Sequence, residues 1–369
     1  MWSKCSAKLG LGCAVVLGCG VDADGDGGTD DGSGDASGDA TSAADDDSAG
    51  PSGGSLDASG DASADGSESA SSDDGPASTT DDGTDTGTFP EPVPDDCITD
   101  VTPGHHEFLC DGLTFDVEVP DVCLEMACGM IFDVHGYTMS AQMQDANTGL
   151  RALGQRYGYI VVQPNAEPDP PGASWNGEVD DPKVFDFMER VAAAWHVDAA
   201  RWHFTGFSQG GFMSWRFICA HADVLASVAP GAACGDSFAF GDCSFMGEDV
   251  PSDPVDILYM HGTSDALIGF ACAYPRRDAV VAHFGLGAEE VVSEGEAYRW
   301  TRHASDDVTF EFIEHDYAAD SFILAGHCFP GSHDEGGASG QLFSYACLEP
   351  TEVAWGEAAM QFFLAHPKD

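Results

Sequence analysis

Three residues stand where their types and surroundings allow chemistry: the serine of TGFSQGG (Ser208), the aspartate of HGTSDALI (Asp265) and the histidine of LAGHCFPG (His327). A hydroxyl is a weak nucleophile unless a base removes its proton, and the base works best when a third group orients it. The run RWHFT before Ser208 reads as a strand and FMSWRFICAHA after it as a helix, so G-x-S-x-G falls on a tight strand-to-helix turn. Small flanking residues let such a turn lift the hydroxyl clear of the sheet. Asp265 lies just past the strand-like DILYMHG, and His327 follows the strand-like VTFEFIEH and a further loop. Together they form a nucleophile, base and orienting acid for attack on a carbonyl, a chemistry that calls for no metal and no cofactor. The developing oxyanion needs two backbone donors, and position puts one at the amide of Gln209.

Each residue also has a plainer reading. Ser208 can be one member of a glycine-rich turn, Asp265 a turn residue and His327 a structural histidine. Asp278 and Asp316 compete for the acid, but Asp278 falls in a helical run and Asp316 leaves little room for a crossover. His333, beside Asp334, competes for the base. A zinc site of His327, His333 and Asp334 is disfavoured, because a loop spacing of six does not align ligands as a helical i, i+4 pair does. His135 and His261 each precede a glycine at a strand end, where hydrogen bonding to the turn is the expected role.

The elements that must hold these residues alternate. MIFDVHG (Met130 to Gly136), YIVVQP (Tyr159 to Pro164), RWHFT, LASVAP (Leu225 to Pro230), DILYMHG and VTFEFIEH read as buried strands. Between them, MQDANTGLRALGQRYG has helical periodicity, and DPKVFDFMERVAAAW carries an Asp cap with Pro182 at the first helical position. TEVAWGEAAMQFFLAH closes the series as a helix. Strands apolar on both faces predict an α/β fold with a mostly parallel sheet and helices on both sides, its site at the carboxyl ends of the strands.

Composition sets the domain boundaries. Residues 1–20 carry Lys4 and Lys8, a short apolar stretch and small residues, a signal-peptide layout. VVLGC, ending at Cys19, resembles a bacterial lipobox, which predicts lipidation at Cys19; cleavage near Gly20 with free secretion is the alternative, and Cys13 is a poorer lipidation site. Residues 21–94 are nearly all Asp, Gly, Ser, Ala and Thr and predict a disordered acidic linker. DADGDGGTDD within it begins like a calcium loop at Asp22, but its twelfth position is Ser33 rather than Glu. Residues 95–369 suit one large α/β domain. The net charge of −51, with only 13 Lys and Arg, excludes nucleic acid and anionic membrane surfaces as partners, leaving a lipid anchor as the membrane link. Ten cysteines in the last part of an exported chain predict disulfides; Cys123 with Cys128 and Cys234 with Cys243 are near enough in sequence to close small loops.

HGYTMSAQ, ASWNGEVDD, TGFSQGGFMSWRF, SVAPGA, HGTSDALI and GHCFPG together resemble the poly(3-hydroxybutyrate) depolymerase, feruloyl esterase and acetylxylan esterase group of α/β-hydrolases. The likeness runs from about Cys110 to Pro367 and misses the N-terminal linker. It implies a serine esterase, which with the lipobox reads as secreted or at a bacterial cell surface, acting on short-chain or hydroxycinnamoyl esters of a polymer, polysaccharide first and polyhydroxybutyrate second. It further implies the Tyr137 amide as the second oxyanion donor, and Trp175, Asn176 and Phe329 as lining of the substrate cleft. Phe212 and Phe329 depart from the group's pattern, which often has Met and Trp there. Phe238 and Phe240 would add flat apolar walls, and no amphipathic lid of the lipase kind is evident. Rival readings are a prolyl-oligopeptidase-like peptidase, for whose usual propeller the chain has no room, and a non-catalytic binding protein, against which the complete Ser, Asp and His argue.

Overall fold

The computed structural model describes residues 89–168, 172–234, 243–332, 334 and 344–368. The chain divides between Thr80 and Asp81, and every described residue belongs to the second part. The predicted signal segment, Cys19, the calcium-like loop, Phe238, Phe240 and His333 lie outside the described residues.

Ten strands form one sheet in the order β1-β2-β4-β3-β5-β6-β7-β10-β9-β8. They are β1 (Gly104–Cys110), β2 (Leu113–Val119), β3 (Gly129–Val134), β4 (Tyr159–Asn165), β5 (Trp202–Phe207), β6 (Ser227–Gly231), β7 (Asp256–Gly262), β8 (Glu290–Glu294), β9 (Tyr298–Ala304) and β10 (Thr309–His315). The six strands β4, β3, β5, β6, β7 and β10 run parallel, as expected, and antiparallel pairs finish both edges. The helices are α1 (Ala141–Thr148), α2 (Leu150–Tyr157), α3 (Gly177–Trp195), α4 (Gln209–His221), α5 (Ala273–Phe284) and α6 (Trp355–Ala365).

The strands' apolar character on both faces has its counterpart in two cores. Met130, Phe132 and Val134 of β3 pack with residues of α3, α4 and α5, whereas the intervening Ile131 packs with residues of α1, α2 and α6. Strand alternation sends successive side chains to opposite faces, so each central strand feeds both layers. Because the central strands are parallel, all their carboxyl ends, and the loops carrying Ser208, Asp265 and His327, emerge at one edge.

Several details differ from expectation. The helical stretch after β3 is two helices, broken at Gly149, whose φ of 64° is the left-handed conformation that ends a helix. Helix α3 begins at Gly177, ahead of the expected Asp181: the Asn176 side chain accepts from Glu178 N at 3.2 Å and its own amide donates to Asp180, so the cap forms earlier and Pro182 is left inside the helix. Strands β1, β2, β8 and β9 were not anticipated; β1 and β2 meet at Asp111-Gly112, both at positive φ, a tight hairpin turn. Val93 N donates to Ala194 O at 2.8 Å and Arg190 pairs with Asp95 at 2.8 Å, so the domain also holds residues just ahead of its expected start.

All ten expected cysteines are paired. Cys123–Cys128 is present as anticipated, but Cys234 bonds to Cys272 and Cys243 to Cys219. Nearness in sequence misled there, because the fold sets the Cα pairs at 5.7 and 5.5 Å. Cys97–Cys110 and Cys328–Cys347 complete the set.

Candidate functional site

Ser208 sits between β5 and α4 at φ 54° and ψ −114°, a strained conformation for a residue with a side chain. Its amide donates to Gly231 O at 2.9 Å, anchoring the turn to β6. The flanking glycines are sterically required. A Cβ on Gly206 would strike the Gly210 carbonyl, one on Gly210 the Val134 carbonyl, and one on Gly211 the Gly231 carbonyl. Backbone contact this close lets α4 start directly beneath the serine. Gln209 is the first residue of α4, and a first-turn amide has no partner within the helical ladder.

The acid and the histidine meet across two loops. Asp265 is 7 % exposed and His327 1 %, and His327 Nδ1 lies 2.7 Å from Asp265 Oδ2. The other oxygen, Oδ1, accepts from the amides of Leu267 at 2.8 Å and Ile268 at 2.7 Å. With both carboxylate oxygens accepting, Nδ1 carries the ring proton and Nε2 is left as the basic atom. Glycines again permit the approach: a Cβ on Gly262 would collide with the Gly326 carbonyl, and Gly326 N donates to Ser264 O at 3.1 Å. A short antiparallel bridge joins Asp265 to Ala325.

The rivals fall elsewhere. Asp278 is in α5 and pairs with Arg277, and Asp316 accepts from Thr263 Oγ1 at 2.9 Å.

His261 was expected to support its turn, and does so beside the acid. Its Nε2 is 2.7 Å from Ile268 O and 3.5 Å from Asp265 Oδ2, and its Nδ1 lies 2.6 Å from the Tyr259 hydroxyl. Burial pushes its pKa below the ordinary histidine value, which keeps it neutral with one donor and one acceptor. His135 likewise bonds to its turn, Nδ1 to Gly136 O at 2.7 Å.

The expected cleft lining is corrected in part. Phe329 has no exposed surface; it stacks on Phe207 at 3.9 Å, and Phe207 in turn packs against His327 at 4.8 Å. Trp175 is 4 % exposed and its indole N–H donates to His135 O at 2.8 Å. Asn176 is the cap of α3. Phe329 and Trp175 act as supports, since apolar rings this close to the sheet find partners in the core before they can face solvent, whereas Asn176 stays exposed at the start of α3. Tyr137 is half-exposed, on the loop where a Cβ at Gly136 would come within 3.1 Å of Ser208 Cβ. The side chain of Gln209 was missed by sequence reading: it bonds to both backbone groups of Trp175, and no spacing signal could pair residues so far apart in the chain.

The strand-turn-helix around Ser208 and the chain order Ser, Asp, His on a mostly parallel sheet are features of the α/β-hydrolase fold. No known protein-family profile matches the chain. It is 24 % identical to a bifunctional acetylxylan esterase/xylanase of Neocallimastix patriciarum over 141 residues, 38 % of this chain and 20 % of that protein. It is 31 % identical to feruloyl esterase D of Neurospora crassa over 140 residues, 37 % of this chain and 44 % of that protein. The chain thus spans less than half the length of each of these two relatives. Among solved structures, an acetyl xylan esterase from Aspergillus awamori aligns with a TM-score of 0.47 at 16 % identity, covering 57 % of this chain and 92 % of that one. Among the described residues no helix is long and apolar enough to cross a membrane.

Proposed function

We propose that the protein is an extracytoplasmic serine esterase that cleaves short-chain or hydroxycinnamoyl esters on polysaccharide. The observation that carries this reading is Ser208 on its strained strand-to-helix turn, at the same sheet edge as a buried His327–Asp265 pair bonded at 2.7 Å. Similarity to acetylxylan and feruloyl esterases supports the substrate class. Five disulfides support an oxidising compartment, and Cys19 followed by an acidic linker suits a lipid-anchored tether.

In this mechanism the Ser208 hydroxyl attacks the ester carbonyl carbon while His327 Nε2 takes its proton. The Asp265 carboxylate fixes the tautomer and stabilises the imidazolium. The oxyanion receives hydrogen bonds from the amides of Gln209 and Tyr137. Collapse of the tetrahedral intermediate breaks the bond to the alcohol oxygen, which leaves with the proton from His327. Water, deprotonated by the same Nε2, attacks the acyl carbon; the bond to Ser208 Oγ then breaks, Oγ takes the proton back from His327, and the acid leaves.

The test is a panel of methyl ferulate, 4-nitrophenyl acetate, 4-nitrophenyl palmitate and a hydroxybutyrate trimer, with fluorophosphonate labelling of the full chain. Ferulate or acetate should lead in kcat/KM, and Ser208 should carry the label. A lead for palmitate overturns the substrate class, a lead for the trimer replaces it with polyester, and labelling elsewhere overturns the site.

A further inference from the structure

The geometry points to His135, Trp175 and the side chain of Gln209 as a positioning bridge that holds the two oxyanion donors, the amides of Tyr137 and Gln209, in one fixed relation. The inference rests on the esterase reading above and deepens it.

The bridge can be followed bond by bond. Ala166 N donates to His135 Nε2 at 3.0 Å, so that nitrogen is the acceptor and Nδ1 carries the proton. Nδ1 lies 2.7 Å from Gly136 O and donates to it. That carbonyl belongs to the same peptide unit as the Tyr137 amide. A trans peptide is planar with its N–H opposed to its C=O, so fixing the carbonyl aims the amide. The preceding peptide is fixed as well, because the Trp175 indole N–H donates to His135 O at 2.8 Å. From the far side, Thr138 N donates to Ala173 O at 2.9 Å, and Thr138 is held at φ 65°.

Trp175 is in turn held by the residue that follows the nucleophile. Gln209 Oε1 accepts from Trp175 N at 3.0 Å, and its Nε2 donates to Trp175 O and to Ser174 Oγ, each at 3.1 Å. The backbone amide of this same Gln209 is the other donor. A closed path therefore runs from one donor to the other through Gln209, Trp175, His135 and Gly136. His135, Trp175 and Gln209 are 0, 4 and 3 % exposed, so water does not compete for these bonds. Burial pushes His135 down to about 4, which leaves the ring neutral with the single donor and single acceptor the path requires.

A purely space-filling role would be served by apolar side chains. Here every polar side-chain atom of the three residues is hydrogen-bonded, two of them to the peptides just ahead of the Tyr137 amide, and donors that need no reorganisation are what stabilise an oxyanion most.

Trp175→Phe keeps an aromatic ring, though a smaller one, and removes the N–H that bonds to His135 O, while Gln209→Met keeps the length and removes the clamp on Trp175. For wild type, both variants and the double variant, kcat and KM for 4-nitrophenyl acetate, the Ki of a phenylboronic acid that forms a tetrahedral adduct with serine, and Tm are measured. Each single variant should lower kcat by about 10-fold or more, weaken the boronate by a similar factor and leave KM nearly unchanged. The double variant should lose less than the product of the two, because both act on one path. Unchanged kcat and Ki, a rise in KM alone, or a loss of Tm with full activity in the folded fraction would overturn the bridge. Wild-type protein that neither hydrolyses esters nor labels at Ser208 would instead remove the esterase reading on which it stands.

Discussion

The two halves of the candidate site are held in different ways. The serine half is built on the sheet: Ser208 is the junction of β5 and α4, and buried side-chain hydrogen bonds from His135, Trp175 and Gln209 tie it to the loop after β3. The acid–histidine half is built on loops, and two disulfides border it: Cys234–Cys272 links the segment after β6 to the one after Asp265, and Cys328–Cys347 begins at the residue next to His327. A side chain at a strand end inherits its position from the ladder. One on a long loop must be restrained by something else, and closing a loop covalently removes more freedom from the unfolded chain as the loop lengthens.

The largest effect should come from removing the reacting groups. Ser208→Ala and His327→Ala are each expected to reduce kcat by roughly four to six orders of magnitude with Tm nearly unchanged, read by ester turnover and thermal melting. Activity retained in either variant would show that the two halves do not work as one site.

Asp265→Asn should cost somewhat less, on the order of 10^4 in kcat. An Asn could still accept from Leu267 and Ile268, but its NH2 would face His327 and favour the tautomer with the proton on Nε2. The carboxylate's role is tested by comparing kcat of Asp265→Asn with that of Asp265→Ala, which removes the acceptor for Leu267 and Ile268 as well.

Replacing both Cys328 and Cys347 by Ala should destabilise the protein by about 3 kcal/mol on the chain-entropy account and lower kcat by roughly 10-fold, because the bridge anchors the residue directly after His327. The same change at Cys123 and Cys128, the bridge after β2, should lower Tm without touching kcat. Equal effects on kcat would erase the contrast between the halves.

The smallest effect concerns pH. Burial pushes His135 and His315 down to about 4 and His203 to about 3, from an ordinary value near 6.5. A folded pKa below the unfolded one means that unfolding takes up protons between those values, so these groups make stability fall as pH drops below about 6.5. Asp133, raised by burial to about 6, acts in the opposite direction between about 4 and 6, as does Asp181, also raised by burial, but the histidines that burial lowers, His221 and His261 included, outnumber them. The Tm should fall by a few degrees from pH 7 to pH 5, and His203→Asn should reduce that fall. A variant with the same pH dependence as wild type would remove His203 from the account.

Much of this was legible in the chain. The G-x-S-x-G turn is a local object: Gly206, Gly210 and Gly211 must be small because three carbonyls crowd them, and the strand and helix on either side announce themselves by periodicity. The order Ser208, Asp265, His327 and the double-sided apolar strands were enough for the α/β architecture and for placing all three residues at one sheet edge. The Asp111-Gly112 turn between alternating apolar residues is a local hairpin signal of the same kind, whereas the exposed Glu290–Glu294 strand has no inward face to betray it. What the tertiary structure alone decided are the meetings of distant residues. Cys234 finds Cys272, Gln209 reaches Trp175, and Phe329 turns inward onto Phe207. Such pairings depend on which loops the sheet brings together, and a one-dimensional pattern records only what lies within a turn or two of each residue.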